Sequence, residues 1–141
     1  MRDSPEGFDF AKRLANKVRS LDSSGRAVTS AVPMVQDRDD DFIAALDVAG
    51  YNYSPNRYQS DHIRFPERIM VGTESFPTDS FTMYAAYTNL SWVLGDFIWT
   101  AIDYIGESAI GNAATSPDIQ ASLGQPWQWH ISFCGDIDIM G

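Results

Sequence analysis

The sequence predicts an α/β chain with parallel strands, and three observations carry that prediction. Strand-like and helix-like stretches alternate from one end to the other, which demands right-handed crossover connections. Several strand-like runs are apolar throughout, as strands covered on both faces are. The length, 141 residues, suits one domain or a piece of one. Two closures meet these observations, an open doubly wound sheet and part of a (β/α)8 barrel. A complete barrel takes roughly 250 residues, so four strands in this length amount to half of one.

The elements follow in order. Ser4-Pro5-Glu6 reads as a helix start, with Ser4 as N-cap and Pro5 in the first turn. Phe10, Leu14, Val18 and Leu21 then recur at helical spacing beside Ala11 and Ala15, and Ser23-Ser24-Gly25 ends the helix. Ala27 to Val32 is a β-prone run stopped by Pro33. The acidic run Asp37-Arg38-Asp39-Asp40-Asp41 reads as a solvated loop and first helical turn, where carboxylates suit the helix dipole. It lacks the spaced oxygen ligands and turn glycine of a calcium loop. Phe42, Ala45 and Leu46 make a short helix. Val48 to Tyr53 is the second strand, and Pro55 to Phe65 a loop with a short helix. Arg68 to Thr73 is the third strand, running into Glu74-Ser75. Phe81, Tyr84, Ala85 and Leu90 mark a third amphipathic helix, and Val93 to Thr100 the fourth strand. Ala101 to Gly141, rich in Gly, Ser, Pro and aromatics, reads as a long loop.

Composition excludes several classes. The chain is 44% hydrophobic, 13% aromatic and 21% charged, which rules out wholesale disorder. Its net charge of −9 offers no basic footprint for nucleic acid. No apolar run reaches the ~18 residues of a membrane span. The first ten residues, MRDSPEGFDF, lack the layout of a signal peptide. The single cysteine, Cys134, forms no internal disulfide. The compartment stays open.

In parallel α/β proteins, functional groups gather where strands end. The second strand ends in Asn52-Tyr53, the third in Glu74, and the fourth near Trp99, with Asp103 and Glu107 beyond. An amide, a phenol, carboxylates and an indole at one mouth form a carbohydrate-site inventory. Trp covers the apolar face of a sugar, Asn and Asp bind hydroxyls, and a carboxylate attacks an anomeric carbon. Plainer alternatives stand beside it: Glu74 as a helix-start residue, Trp99 as core, Tyr53 as a turn residue before Pro55. His62 reads as a surface residue, because no second His or Cys stands at metal-ligand spacing. From Trp127 to Phe133 apolar and polar residues alternate, with Gln128, His130 and Ser132 on one face, in a packed loop or a sugar-facing wall. Cys134 has no activating basic neighbour and reads as an inert thiol. Nucleotide-loop and nucleophile-elbow motifs are absent.

These segments resemble a known family. Asp47-Val48-Ala49-Gly50-Tyr51-Asn52-Tyr53, Val71-Gly72-Thr73-Glu74-Ser75 and the stretch from Gly95 to Glu107, GDFIWTAIDYIGE, are similar to the catalytic barrel of family 2 glycoside hydrolases, in particular the bacterial β-galactosidase branch. The tail from Trp127 to Asp138, WQWHISFCGDID, resembles the same branch. The resemblance implies a TIM barrel represented by about strands five to eight, beginning with the fourth helix. Residues 1–141 are then a single fragment without flanking β-sandwich domains. It implies a retaining mechanism in which Glu74 is the nucleophile, Tyr53 supports it, and Asn52, Trp99, Asp103, Phe133 and Asp136 contact substrate. No cofactor or metal is implied.

One departure matters. Retaining hydrolysis uses a second carboxylate roughly 5–5.5 Å from the first. In this family it is the Glu of an Asn-Glu pair ending the fourth strand, and no Asn-Glu occurs in the 141 residues. The expectation is that it lies upstream of Met1 and that the chain alone does not hydrolyse ordinary glycosides. Loss of an acid typically costs ~10²–10⁴ in rate. Uronate-specific relatives carry a lysine after the eighth strand. Here that loop reads Gly135-Asp136-Ile137-Asp138, which favours a neutral hexoside; that the sugar is a β-galactoside is what the resemblance alone implies. The partners expected are that sugar and the missing N-terminal barrel half, with neither nucleic acid nor membrane. Exposed sheet edges favour self-association. From another class, a non-catalytic carbohydrate-binding or assembly module is the alternative, and a small doubly wound domain unrelated to sugars is a third.

Overall fold

The computed structural model describes residues 4–101 and residue 137. The chain divides into two compact units, Met1–Ser75 with Asp79–Phe97, and Phe76–Thr78 with Ile98–Gly141. The first unit alternates helix and strand: α1 (Pro5–Leu21), β1 (Thr29–Pro33), α2 (Asp40–Ile43), β2 (Val48–Asn52), α3 (Tyr58–Arg64), β3 (Met70–Ser75), α4 (Ser80–Tyr87) and β4 (Val93–Ile98). Tight 3-10 turns over Asp37–Asp39, Pro55–Arg57 and Pro77–Asp79 lead into α2, α3 and α4. The four strands form one sheet in the order β1-β2-β3-β4, parallel from β1 to β2 and from β2 to β3. This is the α/β architecture with a parallel sheet that the alternation predicts.

The sheet is held by β2, buried along nearly its whole length. Val32, Val35, Ile43, Ala49, Tyr51, Tyr58, Met70 and Val93 make the core. Gly50 is required here: a Cβ at that position would overlap the Ser30 carbonyl of β1 and meet the Thr73 side chain at 2.8 Å. At the start of α1, the Gly7 amide donates to Ser4 Oγ at 3.3 Å, one of the orphan donors that an N-cap satisfies.

Two helices depart from the expected orientation. In α1 the buried residues are Gly7, Ala11 and Ala15, whereas Phe10, Leu14 and Val18 stay about half exposed and line a groove with Val28, Phe42 and Leu46. Small residues let α1 approach closely, and spacing alone does not tell which of two adjacent stripes meets the sheet. In α4 the buried residue is Met83, while Phe81 is 82% exposed. Leu90 packs on the core as expected, joined by Tyr87.

The acidic run is in part the solvated loop and first helical turn expected, with Asp37, Arg38 and Asp41 exposed and Asp40 and Asp41 opening α2, but Asp39 and Asp40 turn inward. Asp39 is fully buried, and its Oδ2 accepts from the Gln36 amide at 2.9 Å. Asp40 pairs with Arg64 and, at 3.0 Å, with Arg68. Sequence order hides these partners because they arrive from α3 and the turn after it. His62 is not a plain surface residue either: its ring stacks on Trp92 at 3.7 Å between centroids and an interplanar angle of 4°.

In the second unit, the Trp99–Thr100 peptide is cis and the Ile137 amide donates to the Ala101 carbonyl at 3.1 Å. Among the described residues, no helix is long and apolar enough to cross a membrane.

Candidate active site

The site is built where β2 and β3 end. The two strands run in register from Ala49↔Met70 to Tyr51↔Gly72, and then slip so that Asn52 faces Glu74. The slip brings both polar residues to the same level. Beyond it the Tyr53 amide donates to the Glu74 carbonyl at 2.9 Å. Tyr53 itself has φ +54°, a left-handed conformation that is uncommon for a bulky residue and costs free energy. Surrounding bonds hold it there: Ser54 Oγ donates to the Asn52 carbonyl at 2.9 Å and accepts from the Val35 amide at 3.1 Å, and the Met34 amide donates to the Asn52 carbonyl at 3.1 Å. The turn aims the phenol back at the strand end.

Glu74 receives a donor on each oxygen. The Tyr53 hydroxyl donates to Oε1, and Asn52 Nδ2 donates to Oε2 at 3.0 Å. The Asn52 amide is oriented in turn by Thr73, whose hydroxyl donates to Asn52 Oδ1 at 2.6 Å. Asn52 is buried; Glu74 and Tyr53 are partly exposed. Burial, together with the neighbouring Glu74 carboxylate, pushes the Tyr53 phenol well above its ordinary range, so it stays protonated as a donor. A carboxylate gripped on both oxygens keeps a fixed direction.

The structure therefore brings together Asn52, Tyr53 and Glu74. Trp99 belongs to the second unit and is 38% exposed. Asp103, Phe133 and Asp136 lie outside the described residues, as do His130, Cys134 and Glu107. Sequence reasoning missed Thr73, Ser75 and Asp96. Ser75 Oγ donates to Asp96 Oδ2, and a carboxylate inside the apolar fourth strand was the available signal. Among the described residues, no group of three or more His, Cys, Asp or Glu side chains could hold a metal ion.

Comparison with solved structures gives two close likenesses. A glycosyl hydrolase family 2 member from Bacteroides cellulosilyticus DSM 14838 superposes with a TM-score of 0.70 at 44% identity over 73% of this chain. A second structure of a family 2 member from Bacteroides cellulosilyticus gives a TM-score of 0.74 at 43% identity over 84%. The chain belongs to glycoside hydrolase family 2. It spans 14% and 15% of the length of those two structures. Comparison with protein-family models finds no match, and comparison with curated proteins finds none. Identity above 40% across most of the chain makes it a family 2 segment, and the parallel sheet is consistent with part of a family 2 domain.

Proposed function

We infer that this family 2 segment carries the nucleophile of a retaining glycosidase, and that the nucleophile is Glu74. The observation that supports the reading most directly is the pair of donors, Tyr53 and Asn52, on the two oxygens of a carboxylate at a strand end. In the step proposed, one Glu74 oxygen attacks the anomeric carbon while the bond to the leaving oxygen breaks. The glycosyl ester so formed is opened by water. Tyr53 keeps the carboxylate aimed. Asn52, buried between Thr73 and Glu74, still has one amide N–H for a sugar hydroxyl.

The sheet corresponds in this reading to strands five to eight of a TIM barrel. Trp99 covers the sugar ring, and Asp103, Phe133 and Asp136 contribute further contacts. The substrate is a neutral hexoside, because a sugar carboxylate would meet like charge in Gly135-Asp136-Ile137-Asp138; the choice of a β-galactoside rests on the resemblance to the β-galactosidase branch. These 141 residues contain no Asn-Glu pair, so the chain by itself offers no acid for a poor leaving group. The other barrel half would be its partner.

The experiment follows from that asymmetry. A 2-deoxy-2-fluoro-β-galactoside with a dinitrophenolate leaving group needs no acid to depart, and its ester opens slowly. Mixing it with the chain, alone and together with a companion segment ending in Asn-Glu, should leave a covalent sugar on Glu74, located by peptide mass spectrometry. Glu74→Gln should abolish it. A sugar attached elsewhere, or equal labelling of Glu74→Gln, would refute the nucleophile. Sugar binding without any adduct in both mixtures would favour the non-catalytic module.

A further inference from the structure

Asp96 stands between Gly95 and Phe97 in β4, and its side chain reaches β3. One oxygen, Oδ2, accepts from Ser75 Oγ, the residue next to Glu74. The other, Oδ1, is buried with no hydrogen-bond partner among the described residues. The Tyr58 hydroxyl is in the same condition, on a side chain with no exposed surface. Both atoms face one point. A Cβ added to Gly72 would overlap Asp96 Oδ1 and stand 3.0 Å from the Tyr58 hydroxyl oxygen. Only the bare Cα of Gly72 leaves room for the Asp96 carboxylate oxygen here, with the Tyr58 phenol beside it. Buried polar atoms are seldom left unpaired, and these two are complementary. Burial, with the Asp96 charge nearby, raises the Tyr58 phenol and keeps its proton; burial likewise raises Asp96, opposed by the Ser75 hydroxyl and the Phe97 amide.

We propose that Tyr58, Asp96 and Ser75 form one hydrogen-bonded chain beside Gly72, closed directly or through one water, and that this chain fixes the end of β3 that presents Glu74. Tyr58 and Asp96 are then positioning residues. Their effect passes through Ser75, which is buried, to the adjoining Glu74 peptide, whose carbonyl accepts from the Tyr53 amide. Gly72 is needed because any side chain would fill the space the link occupies. The importance of the device rests on Glu74 being the functional carboxylate, but its existence is testable without turnover.

The test is NMR of the 141-residue chain carrying ¹³Cζ-tyrosine, with the Tyr51, Tyr53 and Tyr58 signals assigned by single Phe substitutions. The Tyr58 signal should follow a carboxyl titration that disappears in Asp96→Asn. The Tyr53 signal, which reports the bond to Glu74, should move in Ser75→Ala and in Asp96→Ala. It should stay near its wild-type position in Asp96→Asn, whose amide oxygen still accepts from Ser75. Tyr51, bonded to Asp61, should not respond. A Tyr58 signal indifferent to Asp96 substitution would overturn the chain. A Tyr53 signal unmoved in Ser75→Ala would overturn its positioning role. Ser75→Ala removes one hydroxyl and decides the matter even where Asp96→Ala does not fold. Failure of covalent labelling at Glu74 with these NMR results intact would count against the nucleophile alone.

Discussion

At the scale of residues, Glu74 depends on two neutral donors delivered by adjacent residues of the neighbouring strand end. Hydrogen bonds to a charged group contribute about 1.5–3 kcal/mol each, or roughly ten- to a hundredfold in rate if the loss falls on the transition state. Tyr53→Phe should therefore slow covalent labelling of Glu74 by roughly 10–100-fold and leave the thermal midpoint nearly unchanged, since the phenol is only partly buried. Stopped-time mass spectrometry measures the first and circular dichroism the second. Unchanged labelling would mean that Asn52 holds the carboxylate alone. Asn52, Tyr53 and Glu74 were legible in the sequence because strand ends can be located from patterning and polar residues there stand out. Thr73 and Asp96 were not, because their partners are fixed by the slip between β2 and β3 and by the reach of β4 to Ser75. Register of that kind is a property of three dimensions.

At the scale of elements, the least legible feature is also the most heavily bonded one. Asp61 on α3 is fully buried, pairs with Arg57 at 2.7 Å and Arg64 at 3.4 Å, and accepts from the Tyr51 hydroxyl at 2.9 Å. Arg68 donates to that hydroxyl at 3.2 Å and to Asp40 at 3.0 Å, and its guanidinium lies 3.9 Å from the centre of the Phe65 ring. The network ties α2 and α3 to β2. In sequence it was a polar loop with a short helix, because the pattern of apolar residues that marks α1 is missing when ion pairs do the docking. Removing one member of a buried pair typically costs about 3–5 kcal/mol by leaving its partners uncompensated. Asp61→Asn should lower stability by about that amount, read as a fall in the urea midpoint at constant slope. A change under ~1 kcal/mol, the usual size for an exposed pair, would show that water reaches the arginines and that the network is a surface feature.

At the scale of the whole molecule, these charges set how the fold responds to acid. Glu6, Asp22, Asp37 and Asp47 all sit below their ordinary values. The causes are the backbone at the start of α1 for Glu6, Arg26 with Ser24 for Asp22, Arg57 for Asp37, and Arg19 with the Val28 amide for Asp47. A carboxyl lower in the folded than in the unfolded chain stabilises the fold above its unfolded value, and that stabilisation disappears as pH falls through the folded value. Asp96 has the opposite sign: raised by burial, it favours the fold at low pH, and its contribution is lost as pH rises through its raised value. Among the described residues, four lowered carboxyls against one raised carboxyl make acid the destabilising direction. The ordinary aspartate value is 3.8, so the loss should begin near pH 4 and deepen below it. Because Glu6, Asp37 and Asp47 are exposed, 1 M salt, which shortens the screening length to about 3 Å, should flatten the dependence, whereas Asp96→Asn should steepen it by removing the opposing group. Thermal midpoints followed by circular dichroism from pH 7 to pH 3, at low and high salt, read all three effects. A midpoint that holds level down to pH 3 would mean that the same pairs persist in the unfolded chain, for which Arg26 and Asp22, four residues apart, are the pair placed closely enough in sequence.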